Sequence, residues 1–172
     1  MSDHAVVAEL AAKQAITEVI YKYCRALDRM DLELAATIWH PGGTADYGPS
    51  MYQGTGAGFV TWVWEQHAAM LAHSHQITNV LIEVDGDRAA SEAYVTAALR
   101  TQSGPGEPIE IVSRGRYVDR WSHRDGRWAI DHRRFAEDFT TIMAVPSAVP
   151  EPLMTSSRRD TTDPSYAGFA RS

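Results

Sequence analysis

The stretch IEIVSRGRYVDRWSHRDGRWAIDHRRFAEDF, residues 109–139, decides the fold. Ile109–His123 and Arg127–Phe139 are long segments in which apolar and polar residues alternate as they do in strands. Arg124-Asp125-Gly126 between them is typical of the tight turn of a β-hairpin. The stretch therefore predicts two long antiparallel strands.

The chain upstream of this hairpin first continues the strand pattern and then changes to a helical one. Thr78–Val84 and Arg88–Thr101 indicate two more strands around the turn Asp85-Gly86-Asp87. Before them, apolar residues recur at helical spacing. The predicted helices are Val7–Leu27, Asp31–Trp39 and a third that opens at GTGAGF and runs through Leu71, with short strands at Thr44–Tyr47 and near Tyr52.

Helices followed by a meander of long strands indicate an α+β fold rather than a parallel α/β sheet. We expect a cone: a strongly curved, mixed or antiparallel sheet wrapped over three N-terminal helices, with a cavity between them. Residues 1–145 form this single domain. Residues 146–172 are rich in Pro, Ser, Thr and Arg and predict an irregular tail. We expect Tyr166 or Phe169 to anchor that tail near the cone mouth or a subunit boundary.

Composition narrows the class of partner. The 172 residues are 44% apolar, which suits one domain with a sizeable core. A net charge of −6 argues against nucleic acid or an anionic membrane as the main partner. The N-terminus lacks the features of a signal peptide, and the one cysteine, Cys24, allows no intrachain disulfide. We therefore expect a cytoplasmic protein that acts on a small molecule.

Tyr23, Asp28 and His75 are the candidate catalytic residues. An acid, a base and a phenol are the parts of cofactor-free proton-transfer chemistry. The alternative is structural: Tyr23 as a core tyrosine and Asp28 as a surface residue at a helix end. Five-residue spacing also places the two about 140° apart on an ideal helix. We expect no cofactor.

His73 and His75 raise the question of a metal site. His-x-His can supply two ligands, but a third at suitable spacing is lacking, so we expect no metal. Three further histidines are scattered along the chain: His40, His67 and His132. His67 lies on the apolar stripe of the third helix and is expected to be core or pocket wall.

Six residues are candidates for substrate binding. Strand alternation from Trp128 and Ile130 places His132 on the core side and Arg133 on the opposite face. A β-bulge would reverse that assignment, and both residues stay candidates. Four apolar or aromatic residues are expected to line the cavity, or else to belong to the core: Trp39, Tyr47, Met70 and Tyr94.

The order of these elements resembles the nuclear transport factor 2-like superfamily, in its SnoaL-like branch, over roughly residues 8–142. YKYCRALDRMD, Trp39, AHSHQITN and YVDRWSHRDGRWAIDHRRF carry the resemblance. KYCRALD is similar to the Tyr-x4-Asp element of bile acid 7α-dehydratase. His75 falls where that enzyme and hexachlorocyclohexane dehydrochlorinase keep a catalytic histidine. Arg133 follows Trp128 by five residues, as an active-site arginine does in the dehydrochlorinase. The dehydrochlorinase has a lysine at the position of Tyr23, and this difference argues against chloride elimination here.

The resemblance implies a cofactor-independent lyase acting on a hydroxylated aromatic or alicyclic molecule. Loss of water is the first expectation, and loss of formaldehyde from a lignin-type diarylpropane is a specific variant. A proton-shift isomerase like ketosteroid isomerase and a non-catalytic module like the dioxygenase β-subunits are the alternatives. The resemblance also implies a homo-oligomer, a trimer or dimer, because the helices can cover only one face of a wide sheet.

Overall fold

The structure is a computed structural model that describes residues 2–102, 104–145 and 154–169. Three helices precede four long strands, and a short fourth helix lies in the tail. The helices are α1 (Asp3–Arg29), α2 (Leu32–Ala36), α3 (Gly56–Ala68) and α4 (Pro164–Phe169). The strands are β1 (Trp39–Asp46), β2 (Gln53–Thr55), β3 (Ala72–Asp85), β4 (Arg88–Thr101), β5 (Ile109–Arg124) and β6 (Arg127–Ala144).

One mixed sheet of six strands has the order β2-β1-β6-β5-β4-β3. Strands β3 to β6 form an antiparallel meander, while β1 runs parallel to β6 and antiparallel to β2. The helices lie N-terminal to the meander, so the predicted α+β class with a mixed sheet is confirmed. In the described part of the chain, no helix is long and apolar enough to cross a membrane.

Helix α1 supplies much of the core. The Ser2 side chain accepts a hydrogen bond from the Ala5 backbone at its start, and Met30, with φ of 52°, ends it in the left-handed conformation. Its buried residues recur every three or four positions, which keeps one face of the helix against the sheet. That face comprises Ile16, Ile20, Tyr23, Cys24 and Leu27.

Among the predicted boundaries that differ in the structure, two position candidate residues. Strand β3 begins at Ala72 rather than at Thr78, so AHSHQI, which precedes the predicted strand, is also strand. Its residues pair with β4 from Ala72 onwards, and this long-range pairing is absent from any local pattern. Trp39 does not end α2; it begins β1 and pairs with Ile130 of β6.

A β-bulge in β6 decides which way Arg133 faces. Trp121 pairs with Ile130 and Arg120 pairs with His132, so Asp131 is an extra residue between the two pairs. Arg133 is consequently 0% exposed in the interior. Simple alternation, which places His132 on the core side, is wrong here because the extra residue reverses the faces that follow it.

Tyr94 does not line the interior. Its strand neighbours Ala93 and Val95 are buried, while Tyr94 is 42% exposed. Alternation therefore turns Tyr94 to the opposite face of the sheet. Trp39 and Tyr47 do lie with the core, and Met70 is half-buried just after α3.

The tail also differs in part from the irregular segment that the composition predicts. Pro164–Phe169 form α4, whereas 154–163 contain no helix or strand. The Phe169 side chain, expected as an anchor, lies outside the described part of the structure.

Candidate active site

Asp28 and His75 form a closely bonded pair. One carboxylate oxygen, Oδ1, lies 2.7 Å from Nδ1 of His75, and the other, Oδ2, accepts a hydrogen bond from the His75 backbone N–H at 3.0 Å. The side chains of Asp28 and His75 are 13% and 5% exposed. A carboxylate on Nδ1 orients the ring and leaves Nε2 as the nitrogen available for proton transfer.

The docking of α1 onto β3 creates this pair. Leu27 and Asp28 lie in the last turn of α1. His73 and His75 are two residues apart in β3, so their side chains lie on the same face of the strand. His73 Nε2 hydrogen-bonds the Leu27 carbonyl oxygen at 2.9 Å, next to the Asp28–His75 contact. The His73 bond satisfies a carbonyl at the helix C-terminus and fixes the register of helix against strand.

His67 of α3 joins these residues in a histidine cluster, which consists of His67, His73 and His75. The His67 ring centroid lies 4.3 Å from that of His73 and 5.7 Å from that of His75. Burial, followed by the two neighbouring histidines, lowers the pKa of His67 to about 3. Burial also lowers the pKa of His73, against the opposing effect of the Leu27 carbonyl. Among the described residues, no group of three or more His, Cys, Asp or Glu is placed to hold a metal ion.

The neutral state of His67 predicts an acid-dependent loss of stability. The unfolded chain takes up a proton near pH 6.5, whereas folded His67 does so only near pH 3. The stabilisation is therefore complete above about pH 6.5 and is lost progressively as the pH falls towards 3. Between pH 7 and pH 5 this one group lowers the free energy of unfolding by about 2 kcal/mol.

Urea unfolding at the two pH values checks this. From pH 7 to pH 5, the free energy of unfolding of His67→Leu should fall by about 2 kcal/mol less than that of the wild type. Equal falls in both proteins would show that His67 is protonated normally in the folded state.

A second cluster surrounds Arg133. Its guanidinium donates to both carboxylate oxygens of Asp119, at 2.8 and 2.7 Å, and both side chains are fully buried. The guanidinium carbon lies 4.3 Å from the ring centroid of Tyr23 and 4.1 Å from that of Tyr117. Nη1 of Arg133 has no hydrogen-bond partner within the described residues. The Tyr23 hydroxyl is 2.9 Å from the Tyr47 hydroxyl. These residues, Arg133, Asp119, Tyr23, Tyr47 and Tyr117, are the arginine–tyrosine cluster.

The charges in this cluster follow from burial and from one carboxylate. Burial raises the pKa of Tyr23 and of Tyr47 well above 10, so both phenols stay protonated and can donate hydrogen bonds. Burial opposes the charged form of Arg133, but Asp119 outweighs it and the arginine pKa is raised. The cluster is thus a fixed set of donors in a medium of low dielectric.

The structure does not join Tyr23 to Asp28, because the Tyr23 hydroxyl bonds Tyr47 instead. Their five-residue interval corresponds to a rise of roughly 7.5 Å along the axis of α1. Between them in the chain lies Cys24: burial raises its pKa to about 12, Arg133 lowers it and Asp28 raises it. Cys24 is therefore close enough to feel the charges of both Asp28 and Arg133.

His132 and Asp119 show what the sequence can and cannot reveal. His132 bonds Thr44 at 2.8 Å and lines a cavity of about 680 Å³ that is lined by none of Tyr23, Asp28 and His75.

Asp119 is not among the residues predicted from the sequence, although it stands between Tyr117 and Trp121 in the alternating pattern of β5. A carboxylate on the buried face of a strand is the signal that could have found it.

The tail crosses the histidine cluster. Arg159 Nη1 donates to the His67 carbonyl oxygen at 2.9 Å and lies 3.5 Å from Nδ1 of His73. Tyr166 donates to Oδ2 of Asp31 at 2.7 Å, which anchors the tail beside the end of α1. The expected docking of Tyr166 thus brings Arg159 over the cluster.

Arg159→Ala is expected to weaken the contact of the tail with the histidine cluster and so to expose that cluster to solvent. Loss of a charged hydrogen bond, about 1.5–3 kcal/mol, raises the population of the open tail by roughly ten- to hundredfold. Diethyl pyrocarbonate should then modify His73 at least about tenfold faster, and KM should rise. Arg158→Ala is the matched control, with exposed His123 as internal standard. If both variants react like the wild type, the tail is a passive end.

Comparisons with known proteins identify the family and the fold. The model of the SnoaL-like domain family matches residues 8–134. A candidate scytalone dehydratase from Novosphingobium aromaticivorans DSM 12444 is 22% identical, with 85% of this chain and 99% of that chain covered and a TM-score of 0.71.

Two further solved structures are similar. For LinA-type3, a hexachlorocyclohexane dehydrochlorinase from Novosphingobium barchaimii LL02, the identity is 18%, the coverage 87% of this chain and 100% of that one, and the TM-score 0.67. A single-residue variant of a Mycobacterium tuberculosis protein of unknown function is 25% identical, with 77% of this chain and 75% of that chain covered and a TM-score of 0.65. The search of curated proteins found no significant match. The family match spans most of the chain and the fold agrees, so the protein belongs to the SnoaL-like domain family of the nuclear transport factor 2-like superfamily.

Proposed function

We propose that this protein is a cofactor-independent lyase that acts on a hydroxylated aromatic or alicyclic small molecule. The observation that carries the proposal is the double contact of Asp28 with His75, at 2.7 and 3.0 Å. A buried imidazole held by a carboxylate on Nδ1 is a general base at Nε2 and becomes a general acid after it takes a proton. Two similar structures carry names that denote elimination, a dehydratase and a dehydrochlorinase.

Loss of water uses both clusters. His75 Nε2 takes a proton from the carbon next to the one that bears the hydroxyl. The C–H electrons form the new double bond, the C–O bond breaks, and the leaving hydroxide receives the same proton from His75 to become water. Arg133, together with whichever of Tyr23 and Tyr47 is not donating to the other, would donate to an oxygen of the substrate on which negative charge develops. A substrate reaching both clusters spans the roughly 7.5 Å between Asp28 and Tyr23 along α1.

A specific variant is loss of formaldehyde from a lignin-type diarylpropane diol. The phenolic ring first loses its O–H proton and expels its benzylic hydroxyl, which leave together as water and give a quinone methide. His75 then takes the proton of the terminal hydroxyl, the adjacent C–C bond breaks, and formaldehyde leaves. The electrons of that bond form the new C=C bond and restore the phenolate, which the arginine–tyrosine cluster would hold and which takes back the proton from His75. A proton-shift isomerase would use the same donors for an enolate, and the product distinguishes it.

The reaction is proposed to take place in the cytoplasm, in keeping with the free thiol of Cys24. The proposed assembly is a homotrimer or dimer. The sheet face opposite the core carries exposed Tyr94 and Val118, which a second copy would cover.

Asp28→Asn tests the proposal. The amide no longer supports a charged imidazole, so turnover should fall about 10²-fold or more, and the pH profile of the remaining activity should shift. The assay follows phenolic and alicyclic alcohols by ultraviolet spectra and by NMR in D₂O, where elimination appears as loss of the carbinol signal with new vinylic signals, and a proton shift appears as deuterium at carbon. Asp87→Asn, with a side chain 85% exposed, is the control. Wild-type activity with an unchanged pH profile in Asp28→Asn would make the carboxylate structural.

A further inference from the structure

His67 occupies a position where an apolar side chain would be expected. It continues the buried stripe of α3 after Phe59 and Val63, at intervals of four residues, and is 5% exposed. Its Nδ1 is buried and has no hydrogen-bond partner in the part of the chain that the structure describes. An unpartnered buried polar atom destabilises a fold by roughly 1–3 kcal/mol, so its presence requires a reason.

The other buried histidines differ from His67 in this respect. His40 Nε2 bonds the Ser122 carbonyl at 2.9 Å, and His73 Nε2 bonds the Leu27 carbonyl at the same distance. His75 is held by Asp28. Each of these three rings is held by a hydrogen bond, whereas the His67 ring makes no hydrogen bond to the described residues.

The His67 backbone, by contrast, is firmly placed. Its carbonyl accepts hydrogen bonds from the Met70 N–H at 3.1 Å and from Arg159 Nη1 at 2.9 Å. The ring is thereby kept beside the proton-transfer residue, with its centroid 5.7 Å from that of His75. Burial and the adjacent histidines keep the imidazole uncharged at neutral pH, so it can donate or accept a hydrogen bond without acting as a competing acid.

We propose that His67 is a substrate-binding residue whose Nδ1 hydrogen-bonds a hydroxyl or phenol group of the substrate beside His75. The inference rests on the proposed function, because it assumes that the substrate is bound next to His75. It adds a specificity rule: hydroxylated rings should be preferred over rings of the same size that lack the hydroxyl. A site with a buried polar atom penalises a ligand that leaves that atom unpaired.

Two probes measure this without turnover: 4-ethylphenol and ethylbenzene, titrated by NMR at pH 7. The wild type should bind the phenol about three- to tenfold more tightly, the ratio expected of one neutral hydrogen bond. In His67→Leu the ratio should fall to about one. His67→Asn, which keeps a polar atom near the position of Nδ1, should preserve it, and His67→Gln, which mimics Nε2, should not.

Thermal unfolding supplies the second readout. His67→Leu should melt at or above the wild-type temperature, because it removes an unpartnered buried nitrogen. His73→Leu, the matched control, should melt lower because it deletes the bond to Leu27. The proposal is overturned if the wild type shows no preference, if His67→Leu keeps it, or if His67→Leu melts as low as His73→Leu. Absence of turnover would count against the lyase assignment alone, since probe binding needs no reaction.

Discussion

His75→Ala is expected to lower turnover about 10²–10⁴-fold while the protein keeps its wild-type fold, because general acid–base groups typically contribute that much to a rate. Within the part of the chain that the structure describes, the ring makes one side-chain hydrogen bond, to Asp28, and the backbone N–H that also binds Asp28 remains in the variant. Circular dichroism and the melting temperature should therefore change little compared with the loss of kcat.

The control for this experiment is His123→Ala, which removes a histidine that is 39% exposed at the end of β5. It should keep wild-type kcat. A His75→Ala protein with near-native kcat on the true substrate would remove His75 from the mechanism. A variant that fails to fold would instead show that the Asp28–His75 contact serves stability.

Asp119→Ala is expected to reduce the free energy of unfolding by about 3–5 kcal/mol. Asp119 is the carboxylate paired with Arg133, and both side chains are 0% exposed. Removing it leaves a buried, uncompensated guanidinium between the rings of Tyr23 and Tyr117, and a lone buried charge is strongly destabilising. Urea unfolding at pH 7 measures the loss.

A double variant separates charge from packing. Asp119→Leu combined with Arg133→Met replaces the pair by apolar groups of similar size and should recover most of the lost stability. It should not recover activity, because the donor at Arg133 is gone. Full stability in Asp119→Ala alone would show that the guanidinium finds another partner or reaches solvent.

The candidate site is predictable from the sequence to the extent that its signals are local. Tyr23 stands out as an aromatic residue on a clear helical stripe, and Asp28 stands out as a carboxylate at the end of that stripe. The sequence identifies His75, but outside the predicted strand Thr78–Val84, because its pairing with Ala97 of β4 is long-range. His67 is expected as core or pocket wall, and neither its unpartnered nitrogen nor its contact with His73 is visible in a helical pattern.

His132 and Arg133 of β6 are a second case in which local sequence is insufficient. Alternation correctly predicts that His132 and Arg133 face opposite ways, and it fails only on which of them is inside. The extra residue Asp131 reverses the order, and a bulge depends on how β6 pairs with β5. Nothing in the local sequence specifies that pairing.

The sequence by itself determined the class of the fold, because helical and strand periodicities are local properties and their order along the chain excludes a parallel α/β sheet. It also singled out Asp28 and His75, which are 47 residues apart. The tertiary structure alone decided that their side chains meet, that Arg133 rather than His132 is buried, and that Arg159 of the tail reaches the histidine cluster. Each of these depends on contacts between distant segments, whose geometry is set by packing, bulges and burial rather than by neighbours in the chain.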